Sequence, residues 1–131
     1  MTQLPHVLKR IRLNLARSKD FPAGSAHHGY EFVAPLDANG HIDVELWRKH
    51  REHCGVRRFW GDALETGHLL HKAGGNEHAR WVFDYDGGAE EDDEAGYRFG
   101  SHEFRPGEYV SIRDEDGEMH TFQVMSVESA S

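Results

Sequence analysis

Cysteine, long apolar runs and positive charge are all scarce in this sequence. One cysteine, Cys54, occurs among 131 residues, which excludes an internal disulfide and is typical of a reducing compartment. No apolar run approaches the roughly 18 residues needed to cross a bilayer. The N-terminal stretch also lacks the continuous apolar segment of a secretory signal. We therefore expect a cytoplasmic protein with no membrane partner.

The charge balance is acidic. The chain has 15 Lys and Arg residues against 23 Asp and Glu residues, for a net charge of −8. Because nucleic-acid binding requires a basic surface, we expect no nucleic-acid partner. Seven of the acids lie within residues 84–94, where there is no base. Residues 86–96, DGGAEEDDEAG, accordingly predict a flexible acidic loop, and such charge asymmetry can steer a protein partner or a second copy of the chain.

The hydrophobic pattern predicts mostly β-strands in a single domain, residues 1–131. Residues 7–17, VLKRIRLNLAR, alternate so that Val7, Ile11, Leu13 and Leu15 share one face. A second strand is predicted at 28–34, where Tyr30 and Phe32 share a face. Asp116-Gly117 predicts a hairpin turn between the last two strands. The remaining predicted strands are 56–60, 67–72, 78–85, 97–104, 108–114 and 118–127.

One helix is predicted, at about 44–54. Asp43 is a good N-cap, and Gly55 stands where a left-handed C-terminal cap favours glycine. Trp47, His50 and Cys54 would then share one helix face. The expected fold class is α+β, mainly β, with an antiparallel sheet curled into a small barrel or sandwich and this single helix.

The chain has 11 histidines, an unusually large number, and they are its most chemically suggestive feature. His50 and Cys54 would lie one helical turn apart, and imidazole together with thiolate suits zinc or another transition metal. Further ligands would have to come from elsewhere in the chain, and the candidates are His68, His71, His78 and His120. The alternative is a buried cysteine beside a hydrogen-bonded histidine, which requires no metal.

Two segments resemble the cupin family, a group of small β-barrels that hold a metal with histidines. The segment "GGNEHARWVF" resembles the first cupin motif, with His78 at its histidine, and Arg80 stands where the second histidine would fall. The segment "RPGEYVSIRDEDGEMHTF" resembles the second motif, with His120 at its final histidine. The resemblance covers roughly 45 residues and implies a barrel with a metal bound by His78 and His120.

No catalytic motif is present: there is neither a GxSxG nucleophile turn nor a GxxxxGK phosphate loop. The leading hypothesis is a small binding or interaction domain for a protein partner or small ligand, with no cofactor expected and with self-association through strand edges as one option. Trp60, Trp81 and Arg80 are the candidate pocket residues. The alternative is the cupin-like metal-binding barrel, and whether that barrel is an enzyme stays open.

Overall fold

The computed structural model describes residues 8–72, 80–86, 94–97, 99, 102–114 and 116–130, and only the backbone of residues 80 and 95–97. Eight strands lie within these residues and pair antiparallel in chain order, with the last strand returning to the first to close a barrel. This confirms the predicted fold class and shows that the sheet forms a barrel rather than a sandwich. The strands are β1 (Leu8–Leu15), β2 (Ser25–Pro35), β3 (Gly55–Trp60), β4 (Ala63–Lys72), β5 (Arg80–Tyr85), β6 (Glu94–Tyr97), β7 (Tyr109–Arg113) and β8 (Met119–Ser129).

Alternation along each strand separates the barrel interior from the outer surface. In β1, Ile11, Leu13 and Leu15 are buried, whereas Arg10 and Arg12 face outward. The interior is filled by aromatic rings rather than left hollow, since six aromatic side chains are almost completely buried: Tyr30, Phe32, Phe83, Phe99, Phe104 and Phe122. The described residues therefore give the barrel a packed aromatic core.

The helix is shorter than the sequence predicts. The helix α1 spans Val44–His50, and a single 3-10 turn covers Arg51–His53. The carboxylate of Asp43 accepts from the N–H of Leu46 at 3.1 Å, which confirms the predicted N-cap. Gly55, in contrast, is the first residue of β3 and no C-cap. The helix ends early because the N–H of Leu69 donates to the carbonyl of Cys54 and draws this segment into the sheet.

The sheet has one helix-covered end and one polar end. Trp47 of α1 donates from its indole Nε1 to the carbonyl of Leu69 at 2.8 Å and packs edge-on against Trp81. At the opposite end, β3 finishes at Trp60, β5 finishes at Tyr85, and β6 begins at Glu94. We call this opposite end the polar end, because charged and histidine side chains gather there.

Two predicted segments differ from the structure. The strand predicted at 97–104 is replaced by the short β6, and residues 102–104 belong to no strand. Phe99 and Phe104 supply core rings from the connection that follows β6, and these rings gave the sequence its strand-like pattern. Within the predicted acidic loop, Glu94 begins β6 and is buried, while residues 87–93 lie outside the described residues.

The hairpin predicted at Asp116-Gly117 is present. Gly117 has a φ of +84°, a conformation that glycine adopts without strain, and its N–H donates to the carbonyl of Asp114. Among the residues described, no helix combines the length and the apolar character that a membrane span requires.

Candidate functional site at the polar end of the barrel

A buried carboxylate, Glu94, occupies the interior at the polar end. Its Oε1 accepts from the hydroxyl of Tyr30 at 2.8 Å and from the hydroxyl of Tyr85 at 2.6 Å. Glu94 retains 4% of its accessible surface. Buried carboxylates are rare unless they are paired, because the charged form loses its hydration. Three strands, β2, β5 and β6, thus converge on this one oxygen atom.

Arg58 supplies the opposite charge. It lies directly across from Tyr30 in the pairing of β2 with β3, so both side chains point into the barrel. Its Nε lies 3.5 Å from Oε1 of Glu94 and is buried with no hydrogen-bond partner among the described residues. Its Nη1 donates to Oε1 of Glu65 at 3.3 Å. The guanidinium is therefore held between one buried carboxylate and one exposed carboxylate.

The protonation equilibria of this cluster are strongly perturbed. Burial raises the pKa of the Glu94 carboxyl, although the two tyrosine hydroxyls and Arg58 act in the opposite direction. Burial and the neighbouring Glu94 also raise the pKa of Tyr30 and of Tyr85 well above the usual tyrosine range. Groups with shifted pKa values cluster at functional sites more often than elsewhere, which makes the polar end the candidate functional site.

Trp60 forms the outer part of the site. The guanidinium carbon of Arg58 lies 4.5 Å from the Trp60 ring centroid, a cation–π geometry. His28 and His120 both pack edge-on against the same indole, with ring centroids 4.7 Å and 5.9 Å from the Trp60 centroid. The indole is partly exposed, so a flat apolar group from solution can reach it.

Both histidines are oriented by hydrogen bonds. His28 Nδ1 lies 2.7 Å from the hydroxyl of Ser25, and His120 Nε2 lies 2.9 Å from Oδ2 of Asp114. Although burial acts to raise it, the hydrogen bonds from His120 and from backbone N–H groups hold the pKa of Asp114 below its usual value. The rim of the site is therefore built from fixed rings rather than from free side chains.

The residues predicted from the helix pattern do not form a metal-ligand group. Cys54 is completely buried, and its Sγ donates to the carbonyl of His50 at 3.5 Å. Because α1 ends at His50, Cys54 lies beyond the helix, and the one-turn spacing that motivated the pair does not apply. Burial raises the pKa of the Cys54 thiol to about 12, which disfavours the thiolate that a metal would require.

The other predicted ligands are dispersed. His68 lies 3.9 Å from a carboxylate oxygen of Asp86 and is half exposed. His71 packs on Trp81 near the helix-covered end, and burial together with Arg48 lowers its pKa. His78 and the side chain of Arg80 lie outside the described residues.

The predicted pocket residues Trp60 and Trp81 do not lie together either. Trp60 is at the polar end, whereas Trp81 is 3% exposed and packs against Trp47 at the other end. Among the described residues, one group of three side chains brings potential ligand atoms within 4.8 Å of one another: Asp114, Glu118 and His120.

Sequence reasoning missed the Arg58–Glu94 cluster. Glu94 closes an acidic run that is typical of solvated loops, and Arg58 stands beside Arg57 in a segment with two adjacent bases. One local signal was available: alternation in VRRFW gives Val56, Arg58 and Trp60 one common face, so Arg58 shares a face with apolar residues.

An outer groove on the barrel wall is a second concave feature. It has a volume of about 360 Å³, and the residues that line it belong to β1–β4 or, in the case of His53, to the 3-10 turn. Its charged or basic lining residues are Arg10, Glu31, His53 and Arg57.

Comparisons with known proteins identify no relative of this chain. Neither a protein-family model, nor a curated protein, nor a solved structure matches the chain.

Proposed function

We propose that this protein is a small-ligand-binding barrel that takes a flat molecule carrying a carboxylate at its polar end. The observation that carries the proposal is Arg58, a guanidinium fixed inside the barrel rim between Glu94 and Trp60. Mouths of β-barrels are common sites for small ligands, and a few placed polar groups in an apolar setting set their specificity.

Arg58 is the anchor for the carboxylate. Its side chain is 17% exposed, so it is positioned by the barrel yet reachable from solution. Arginine presents its N–H groups in a planar fork that fits a carboxylate with two parallel hydrogen bonds. Glu94 holds the Nε side of the guanidinium, which leaves the Nη edge to face the ligand.

Glu65 occupies the position that the ligand's carboxylate would take. It is 49% exposed and meets Arg58 at 3.3 Å, so the carboxylate of this pair can return to solvent. Exchanging Glu65 for a ligand carboxylate replaces one ion pair of Arg58 with another of the same kind. The flat part of the ligand would contact the exposed portion of Trp60.

The test is a titration with benzoate, followed by the indole N–H signal of Trp60 in ¹H–¹⁵N NMR spectra. That signal is assigned by its loss in Trp60→Phe. We expect saturable shifts of this signal with a dissociation constant of about 1 mM, as befits a ligand of this size. Benzamide, which has the same shape without the charge, should bind at least fivefold more weakly.

The chain offers a matched pair of control variants. Arg58→Gln should abolish benzoate binding, whereas Arg57→Gln changes the adjacent, outward-facing arginine and should leave it unchanged. Because Arg58→Gln leaves Glu94 without its buried counter-charge, the double variant Arg58→Gln, Glu94→Gln is measured as well. Equal binding by the Arg57 and Arg58 variants, or no saturable shift at Trp60, would contradict the proposal.

The second candidate function is binding of a transition metal, and the group of Asp114, Glu118 and His120 is the observation that favours it. The group already has internal partners, since Oδ1 of Asp114 accepts from two backbone N–H groups of the turn. The test is the metal content of untagged protein by mass spectrometry. About one equivalent of a transition metal, lost in His120→Ala, would support this candidate. Loss in His78→Ala would instead support the cupin-like arrangement, and a metal-free protein would remove both.

A further inference from the structure

Three arginines surround one carboxylate on the outer wall of the barrel. Arg10 and Arg57 approach Oε1 of Glu31 at 3.9 Å and 3.6 Å, and Arg12 approaches its Oε2 at 3.9 Å. Arg12 and Arg57 are the cross-strand neighbours of Glu31 on either side, so the register of β1, β2 and β3 fixes this arrangement. We call these four residues the arginine cluster.

The arginine cluster carries surplus positive charge. Three guanidinium groups against one carboxylate leave a local charge of +2 in a protein whose net charge is −8. None of the three separations is short enough for a good hydrogen bond, and the single carboxylate of Glu31 can balance only one of the three positive charges. Glu128 is paired with Arg10 in the register of β8, on the far side of β1 from the groove.

The three arginines differ in how many of their N–H groups already donate hydrogen bonds to the protein. Arg12 donates to the side chain of Asn14 and to the carbonyl of Ala26, and it covers the ring of Phe59. Arg57 is 49% exposed and has no hydrogen bond to a protein atom among the described residues. Arg57 is therefore the arginine that is best placed to bind an external anion.

The cluster borders the outer groove. Arg10 and Arg57 line it together with His53, whose side chain is 42% exposed. Gly55 and Gly67 form part of its floor. A volume of about 360 Å³ is at the lower end of the range for small-molecule sites.

We propose that the outer groove, with the arginine cluster at its border, is a second binding site, specific for a small phosphate-bearing ligand. A phosphate group carries a charge of about −1.5 to −2 at neutral pH and three acceptor oxygens. That charge matches the surplus of the cluster, and the planar donor fork of Arg57 fits two phosphate oxygens. Arg10 and His53 lie along the groove to contact the remainder of the ligand.

The test is a ¹H–¹⁵N NMR titration with pyrophosphate, with inorganic phosphate in a parallel series and sodium chloride at matched ionic strength. We expect saturable shifts of the amides of Gly55, Arg57 and Gly67 with either phosphate probe, and only small linear shifts with chloride. Arg57→Gln should weaken pyrophosphate binding at least tenfold. Glu31→Gln, which raises the surplus charge by one, should strengthen it about threefold.

Arg113→Gln is the matched control, because Arg113 is an exposed arginine on β7, away from the groove. It should bind pyrophosphate as the unaltered protein does. The proposal is overturned if phosphate and chloride shift the same signals linearly, or if Arg57→Gln and Arg113→Gln lower affinity equally. The benzoate titration is independent of this outcome, since the Trp60 indole lies at the polar end.

Discussion

The Nε atom of Arg58 lies 3.5 Å from Oε1 of Glu94, so a charged pair sits next to the aromatic interior of the barrel. The same oxygen accepts from two tyrosine hydroxyls contributed by other strands. Removing one partner of such a pair leaves the other buried and uncompensated, which usually destabilises a protein far more than removing both. The structure of the polar end therefore depends on four specific side chains: Tyr30, Arg58, Tyr85 and Glu94.

The first prediction concerns the pH dependence of stability at Glu94. Burial raises its pKa above the ordinary value of 4.5. At a pH between the ordinary and the raised pKa, the native state therefore holds a proton that the unfolded state has released. Stability from this group is present at low pH and is lost as pH rises through the raised pKa. The free energy of unfolding of Glu94→Gln, relative to the unaltered protein, should increase as pH rises from 4 to 7. Urea denaturation at several pH values measures it, and a pH-independent difference would refute the prediction.

The second prediction compares two glycines on the floor of the outer groove. A Cβ atom at Gly67 would lie 2.1 Å from the carbonyl oxygen of Asp84 and 2.7 Å from Cα of Tyr85, and both contacts involve backbone. A Cβ atom at Gly55 would meet its nearest neighbour, the carbonyl of Gly67, at an ordinary 3.6 Å. Gly67→Ala should lower the free energy of unfolding by about 3 kcal/mol or more, and Gly55→Ala should change it by less than about 1 kcal/mol.

Urea denaturation of the two glycine variants provides the measurement, with each variant serving as the control for the other. Equal effects would mean that the close approach of β5 to β4 at Gly67 is not what requires a glycine there.

Local patterns predicted the parts of the fold that local interactions determine. The alternation of β1, the pairing face of Tyr30 and Phe32, the cap at Asp43 and the turn at Gly117 all depend on residues close in sequence. Each of these features is present in the structure. Closure of the barrel depends instead on the pairing of β1 with β8, more than 100 residues apart, and the sequence left barrel and sandwich open.

The polar end could not be predicted because its residues meet only through strand register. Glu94 is separated from Tyr30 by 64 residues, and neither position has an unusual local context. The histidine spacings were prominent, yet they describe a helix that ends at His50. In this chain histidine is the conspicuous residue type, but the buried charged cluster contains no histidine.

The third prediction concerns the reactivity of Cys54. With its pKa raised to about 12 by burial, the Cys54 thiol is almost entirely protonated at pH 8. The thiolate is the reactive form, so native protein should react with a disulfide reagent such as Ellman's reagent only as fast as it opens. The unfolded protein in urea is the control and should react within minutes. Rapid stoichiometric reaction of the native protein would contradict the buried position of this thiol.

The fourth prediction concerns the helix-covered end, where Trp47 joins α1 to β4. Its indole donates to the carbonyl of Leu69 at 2.8 Å, and Trp47→Phe would leave that buried carbonyl without this donor. An unsatisfied buried acceptor costs about 1–3 kcal/mol, and the lost ring volume adds to this figure. The matched control is Trp60→Phe, because the Trp60 indole is partly exposed and the vacated space can admit water. Urea denaturation should show a clearly larger loss of stability for Trp47→Phe. If the two variants are equally stable, the hydrogen bond to Leu69 does not hold the helix on the barrel, and apolar contact with Trp81 would be sufficient to do so.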